Sequence, residues 1–394
     1  MFAGNQTAHI AALGVQQRKR PVLPLLPDGL LQPIPAQVDV QIAVPCVAEA
    51  GDAQGHVRGH LVGIEDEVGH PAAGHLCRRA EIPADAGIRT YTDYRQMLAV
   101  EQPELVSIAT ESGKHAQIAL YCIEHGIHTI IEKPMAMSLA DADRIIAAAE
   151  KSGVTVSVCQ QCRFNKAVQA MRKALEAGRF GTVSHCSVNV YWNRERSYYE
   201  HDAWRGTWKD DGGCLMNQCI HGADLLRWTL GTDIARVYGV TANHLHGYLE
   251  TEDMGTAIVE FKNGTVGVLE GSGNVFRENL EETLYLFGSD GKVKLGGNSC
   301  NNVEVWDFAD VQEGDETTRT LREPAPNVYG HGHMRLFQDV AEAIEQHRPP
   351  YVDVYAGRTA LELILAIYKS QKTGQPVDLP LDSFSTEDME GIIG

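Results

Sequence analysis

Between Leu105 and Cys159 the chain alternates short apolar runs with helix-forming stretches, a pattern few folds can use. Leu105–Ala109, Ile127–Ile131 and Val154–Cys159 read as buried strands. Ala116–Glu124, closed by Gly126, reads as a helix, as does the stretch from Ser138-Leu-Ala-Asp141 to Glu150, closed by Gly153. Thr92–Leu98 adds a short helix in front, capped by Thr92 or Asp93. Strand, helix, strand, helix, strand with short connections makes a parallel sheet with crossover helices. Ligands of such a sheet lie beyond the carboxyl ends of its strands. Thr110–His115, Glu132–Lys133 and Gln160–Arg163 all fall there.

The text then changes character. Asn165 caps an amphipathic helix to Ala177, followed by Gly178. Thr182–Trp192 alternates as a long strand, with Ser184, Cys186, Val188, Val190 and Trp192 on one face. Asn193–Asp211 is a long polar and aromatic loop, and loops of that length in compact domains are often functional. Gly212–Asp224, continuing through Leu230 to Gly231, reads as one helix with a glycine-rich entrance. Asn217, His221 and Asp224 share a face of it, an amide, an imidazole and a carboxylate on an otherwise apolar helix. Standing alone, such a histidine is more often a satisfied core group than a reactive one.

Residues 234–308 read as antiparallel strands, with Asn263-Gly264 and Ser289-Asp290-Gly291 at hairpin turns. Met334–Glu345 and Gly357–Gln371 read as two closing helices, with Gly374 after the second. A sheet with helices on one face leaves the other open, which predicts a homo-oligomer, dimer or tetramer.

Composition excludes several classes of function. A net charge of −18 over 394 residues argues against nucleic acid or an anionic membrane surface as the main partner. No apolar run approaches the roughly 20 residues that span a bilayer. The start lacks a secretory pattern, and nine scattered cysteines suit a reducing cytoplasm. Cys159-Gln-Gln-Cys162 has no second pair and His331-Gly-His333 no third partner, so no metal site is expected.

Glu132-Lys133-Pro134, Arg163-Phe164-Asn165 and Gly212–Asp224, in that order and at these spacings, resemble the Gfo/Idh/MocA oxidoreductases. The resemblance runs from about Ile88 to Pro380, about three quarters of the chain. It implies an α/β protein with an N-terminal Rossmann-like parallel sheet, here incomplete, and a C-terminal α/β domain with a large, mostly antiparallel open sheet. It implies hydride transfer between a sugar-like carbon and NAD, with NADP left open. Residues 81–158 would be the remaining dinucleotide-binding part and residues 159–394 the substrate-binding and oligomerisation domain. Lys133 and His221 would be catalytic, with Asn217, where the family often has Asp, fixing substrate geometry. Thr110, Ser112, His115, Glu132 and Lys133 would line the cofactor cleft. Asn193–Trp208 and the helix around His221 look like the sugar-nucleotide 3-dehydrogenases that oxidise UDP-N-acetylglucosaminuronate.

Such a reaction needs a base for the hydroxyl proton. His221 can take it near neutral pH, while Lys133 polarises the oxygen. Lys133 can also serve as base if its own pKa is depressed. Arg163, Arg205, Tyr199 and Asp224 are candidate substrate contacts, with Arg194, Arg196, Tyr198 and Trp204 nearby. An inositol or aldose dehydrogenase and a non-catalytic ligand sensor are the alternatives on the same scaffold.

Residues 1–80 depart from all this. They contain no Ser, Tyr or Trp, one Lys, and seven of the 16 prolines. Apart from a short strand at Val38–Val44 they are expected to be irregular. A G-x-G-x-x-G phosphate turn and its ribose-binding acid are absent. A shifted reading frame, a wrong start or a genuine replacement would produce this break. The expectation is weak or no NAD binding by this chain, with a poorly folded first domain.

Overall fold

The computed structural model describes residues 91–324 and 331–392. The expectations for residues 1–80 lie outside them. After helix α1 (Tyr94–Glu101), N-capped by Asp93, the three expected strands appear as β1 (Leu105–Ile108), β2 (His128–Ile131) and β3 (Val156–Val158). They form a parallel sheet in the order β1-β2-β3, with Ile108 beside Ile131 and Ile131 beside Val158. Helices α2 (His115–Glu124) and α3 (Leu139–Ser152) make the crossovers. Ser138 caps α3 by accepting from the Asp141 amide, and Gly153 ends it in the left-handed region.

Beyond α4 (Lys166–Glu176) lies β4 (Val183–Tyr191), whose Cys186, Val188 and Val190 face inward as the alternation required. Asn165 precedes α4 but does not cap it. Its side-chain amide donates instead to the Ser299 carbonyl at 2.7 Å. The expected loop contains a short helix, α5 (Arg196–Glu200).

The expected single helix over Gly212–Leu230 is two: α6 (Gly213–Asn217) and α7 (Ile220–Leu230). The Cys219 amide reaches back five residues to the Cys214 carbonyl, which closes α6 with a wide turn. The entrance is held by the buried Glu252 carboxylate, which accepts from the Leu215 amide at 2.8 Å. Asn217 and His221 therefore belong to different helices and do not stack as i and i+4.

Strands β5 (Ile234–Ala242), β6 (Met254–Phe261), β7 (Val266–Ser272), β8 (Glu281–Gly288), β9 (Gly291–Gly296) and β10 (Asn302–Phe308) follow. After α8 (Asp315–Arg319), α9 (Gly332–Gln346) and α10 (Val354–Thr373), β11 (Val377–Asp378) completes an eight-stranded sheet. Its order is β10-β9-β8-β4-β7-β6-β5-β11, antiparallel except for β4 with β7.

Helices α6 and α7 lie close on this sheet because glycines make room. A Cβ on Gly271 would stand 2.3 Å from Cys219 Sγ, and one on Gly222 2.9 Å from Val188. Gly271→Ala should therefore cost about 1–3 kcal/mol by overpacking, read from urea unfolding. Buried from Ala360 through Tyr368, α10 packs on α7 and β5 and also reaches α3 and β3. Gly357 rests against Val158 there, and Ser157 donates to the Val352 carbonyl at 2.7 Å. One helix thus fastens the two sheets together and fixes α7 relative to the strand ends. Among the described residues no helix is long and apolar enough to cross a membrane.

Candidate active site

The carboxyl ends of β2 and β3 meet the start of α7 and the end of α6. Lys133, one residue beyond Glu132 at the end of β2, reaches across 84 residues of sequence to Asn217. Its Nζ donates to the Asn217 carbonyl at 2.8 Å and to Oδ1 at 3.3 Å. An ammonium carries three donors, so one N–H remains for a ligand oxygen. Asn217 is held in turn: its Nδ2 donates to Asp211 Oδ1, and its Oδ1 accepts from Gln218 Nε2 at 2.9 Å. Asp211 is buried and also accepts from the Gly206 amide at 2.8 Å. Burial raises its pKa, against the pull of Gly206, Arg205, Asn217 and Lys133. This carboxylate turns the Asn217 amide so that its oxygen faces the lysine.

His221 is 2% exposed, in the first turn of α7. Nδ1 lies 2.8 Å from Gln160 Oε1 and Nε2 lies 3.1 Å from Gln161 Nε2. Burial, reinforced by Lys133, pushes its pKa down to about 3, so the ring is neutral across the physiological range. The buried histidine expected from an apolar helix and the one expected at the strand ends are thus the same residue.

Glu132 stands beside Lys133. Burial pushes its pKa up, but His333, Lys133 and the Cys159 thiol outweigh that and hold it at about 2. His333 Nε2 is 3.3 Å from its carboxylate. A carboxylate oxygen, a thiol and an imidazole nitrogen from these three residues lie within 4.8 Å of one another. Thiol and imidazole both serve as donors to the carboxylate, which accounts for the cluster without a cation. Cys162 is not part of this cluster; burial, with Glu282 and Asp224 adding to it, raises its thiol well above the usual value.

His115, 1% exposed, braces the turn at β1 against the turn at β2. Nδ1 is 2.7 Å from the Pro134 carbonyl and Nε2 is 3.0 Å from the Thr110 carbonyl. Burial lowers its pKa against those two contacts. Thr110 and Ser112 are buried at the same edge. Gly113 takes the foot of the 193–211 segment, with the Asp210 carbonyl accepting from its amide at 3.2 Å.

A second polar cluster adjoins Asn217. Gln218 Nε2 donates to the Tyr198 hydroxyl at 3.0 Å. Arg194 donates to Gln218 Oε1, and Arg205 donates to Tyr198 and stacks 4.2 Å from its ring. Arg205 also stacks on Trp204, 4.4 Å from the ring. Two guanidinium groups and an aromatic face thus lie next to the lysine–amide pair.

The other expected substrate contacts fall differently. Arg163 and Asp224 are brought together, but to each other: Nε and Nη2 donate to the two carboxylate oxygens at 2.7 and 2.6 Å, both side chains buried. The pair clamps the turn after β3 onto α7. Tyr199 points inward, 7% exposed, toward His246 and Tyr248, and its neighbour Tyr198 carries the hydroxyl of the polar cluster. Gln160 and Gln161 lie in the Gln160–Arg163 strand end flagged from the sequence, though neither was given a role, and residues 211 and 218 were not singled out. The strand-end rule that flagged Glu132 applies equally to Gln160 and Gln161. Nothing local marks Asp211 or Gln218, which acquire their place from the fold.

Strand-end turns of a parallel sheet that carry a fixed lysine near a buried imidazole are where an α/β fold binds its ligand. Family models agree. The oxidoreductase family NAD-binding Rossmann fold matches residues 64–160, beginning ahead of Ile88, and the oxidoreductase family C-terminal alpha/beta domain matches residues 172–379. The chain belongs to the Gfo/Idh/MocA oxidoreductase family, whose members the sequence motifs resembled. The WlbA dehydrogenase of Bordetella pertussis, solved with NADH and UDP-GlcNAcA, is 33% identical with a TM-score of 0.71, covering 79% of this chain and 88% of that one. D-apiose dehydrogenase of Paraburkholderia graminis is 26% identical over 74% of this chain and 77% of its own. UDP-N-acetylglucosamine 3-dehydrogenase of Acidithiobacillus ferrooxidans is 25% identical over 78% and 88%.

The cofactor of the fold is NAD. The site suits its nicotinamide end: strand-end turns converge there, and two buried amide atoms at the β3 end, Gln160 Nε2 and Gln161 Oε1, lack partners among the described residues. Thr110, Ser112 and Glu132 would hold that end, with Lys133 facing it.

Proposed function

We propose that this chain oxidises a ring secondary alcohol of a sugar nucleotide with NAD, the favoured substrate being C3 of a UDP-linked N-acetylated uronic acid. The observation that carries the reading is the Lys133–Asn217 contact. It fixes a cation, with one donor to spare, beside a neutral imidazole at the strand ends. NAD supplies the hydride acceptor when bound. The free N–H of Lys133 holds the substrate oxygen and stabilises the negative charge that grows on it. His221 takes the hydroxyl proton, Asn217 keeps the lysine in place, and Asp211 keeps the amide turned.

Arg194 and Arg205, with Tyr198 and Trp204, supply charge and stacking surface for an anionic, ring-bearing substrate. The similarity to the WlbA dehydrogenase solved with UDP-GlcNAcA supports that class. The test is NADH formation with UDP-N-acetylglucosaminuronate, myo-inositol and simple aldoses. It should be run on this chain and on one whose start is replaced by a strand and G-x-G-x-x-G turn. We expect kcat/KM for the sugar nucleotide to exceed the others by about a hundredfold or more. Equal use of inositol or aldoses would assign a simpler polyol substrate, and no turnover by either chain would assign a sensor.

The open face of the large sheet supports self-association. Tyr238 and Ile258 are paired across β5 and β6, and Val240 lies two residues along. These side chains are 44%, 49% and 49% exposed. A second copy laid on this face would bury them. Ile258→Lys should shift the chain to monomer in sedimentation velocity, while an unchanged profile would remove this face from the interface.

A further inference from the structure

His221 is held by two consecutive side-chain amides, and their chemistry specifies its proton. Gln160 leaves β3 and Gln161 opens the following 3-10 turn, so their side chains reach the ring from opposite edges. An amide oxygen facing Nδ1 at 2.8 Å requires a proton on Nδ1. An amide NH2 facing Nε2 at 3.1 Å requires a lone pair there. Both conditions hold only for the neutral ring with its proton on Nδ1. Gln160 and Gln161 are each 1% exposed, and the second half of each amide, Gln160 Nε2 and Gln161 Oε1, has no partner among the described residues. The imidazole is the side chain both amides share, and Gln161 Nε2 also reaches Cys162 Sγ at 4.0 Å.

We propose that Gln160 and Gln161 are positioning residues for His221. Gln160 locks the Nδ1–H tautomer, and Gln161 occupies the Nε2 lone pair until a substrate hydroxyl takes its place. This rests on the dehydrogenase reading. The substrate O–H replaces the Gln161 N–H at Nε2, and the proton then passes from oxygen to Nε2. The electrons of the O–H bond become the second bond of the carbonyl as the hydride leaves carbon for NAD. The resulting imidazolium keeps its Nδ1–H bond to Gln160. A half-turn of the Gln161 amide lets its unpaired oxygen accept the new Nε2–H.

The charges acting on His221 are Lys133 and Glu132 from the end of β2 and His333 from the first turn of α9. Asp224, one turn along α7, is matched by Arg163, and Glu362 of α10 by Arg227 and Arg358. Glu282 of β8, pushed up to about 8 by burial, is mostly neutral at pH 7. Among the described residues no carboxylate bonds to the ring, so the clamp aligns the proton without drawing the ring into its charged form.

The test is long-range nitrogen–proton NMR on the full chain with nitrogen-15 histidine, the His221 signal being assigned with His221→Gln. Expected is a protonated Nδ1 and a bare Nε2 from pH 8 to pH 5. Gln160→Met should lose the Nδ1–H preference. Gln160→Glu should raise the proton affinity of His221 at least tenfold and move the acid limb of the kcat profile upward with it. A wild-type Nε2–H tautomer, titration near the ordinary histidine value, or an unchanged tautomer in Gln160→Met would each overturn the clamp. The signal needs no turnover. Nδ1–H without dehydrogenase activity refutes the functional reading and keeps the clamp, whereas turnover with Nε2–H does the reverse.

Discussion

In the chain given a phosphate-binding start, Lys133→Met should bind NAD as its parent does and lose about a thousandfold or more in kcat. Methionine keeps the length and flexibility of the lysine stem but removes all three donors. Two of those donors hold the Asn217 carbonyl and Oδ1, and the third is the one left for the substrate oxygen. The loss should fall on kcat more than on KM, because the charge on oxygen develops only in the transition state. Steady-state rates alongside NAD titration check this. A variant within tenfold of wild type would remove Lys133 from the chemistry. Lys133→Arg should not rescue, since a planar guanidinium cannot place single donors on Asn217 and on a substrate oxygen in the same directions.

His221→Gln should cost about a hundredfold to ten-thousandfold in kcat and should also change how stability depends on pH. The ordinary histidine value of about 6.5 describes the unfolded chain. Burial and Lys133 take the folded value down to about 3. Above pH 6.5 neither state binds the proton and stability is at its full value. Below it the unfolded chain takes up a proton that the folded chain refuses, so stability falls as pH falls through the window from 6.5 to 3. At about 1.4 kcal/mol per pH unit, His221 alone removes about 2 kcal/mol between pH 6.5 and pH 5. The variant lacks this contribution, while His115, also lowered by burial, acts in both proteins. Urea unfolding at the two pH values measures the difference. Parallel curves would show that His221 is not held neutral.

Much of this was legible in the residues. β1 to β3 announce themselves because strands buried on both faces need apolar runs, and Gly126 and Gly153 stop the helices between them. Cys186, Val188 and Val190 declare their face because a strand alternates. That Lys133 and His221 would lie at one cleft was legible because strand-end position and motif spacing are properties of sequence. What side chains do with one another was not. Arg163 and Asp224 looked like two substrate contacts, yet 61 residues apart they close into one buried ion pair. Tyr198 and Tyr199 are indistinguishable as letters, and only α5 decides which of them turns inward. The break between α6 and α7 depends on the Cys219 amide reaching back to the Cys214 carbonyl, and the entrance of α6 on Glu252, which arrives from beyond β5 to hold the Leu215 amide. Asp211 acquires its role from Asn217, and Asn217 from Lys133, a chain of contacts that exists only once both sheets are docked through α10.

In the proposed reaction hydride leaves a ring carbon of a sugar nucleotide over Lys133 and His221. It is tested most directly with UDP-N-acetylglucosaminuronate deuterated at C3, incubated with NAD and the chain carrying the phosphate-binding start. Mass spectrometry should find the deuterium in the reduced nicotinamide and a 3-keto sugar lacking it. Deuterium retained in the sugar, or released to water with no label in the nicotinamide, would contradict the account.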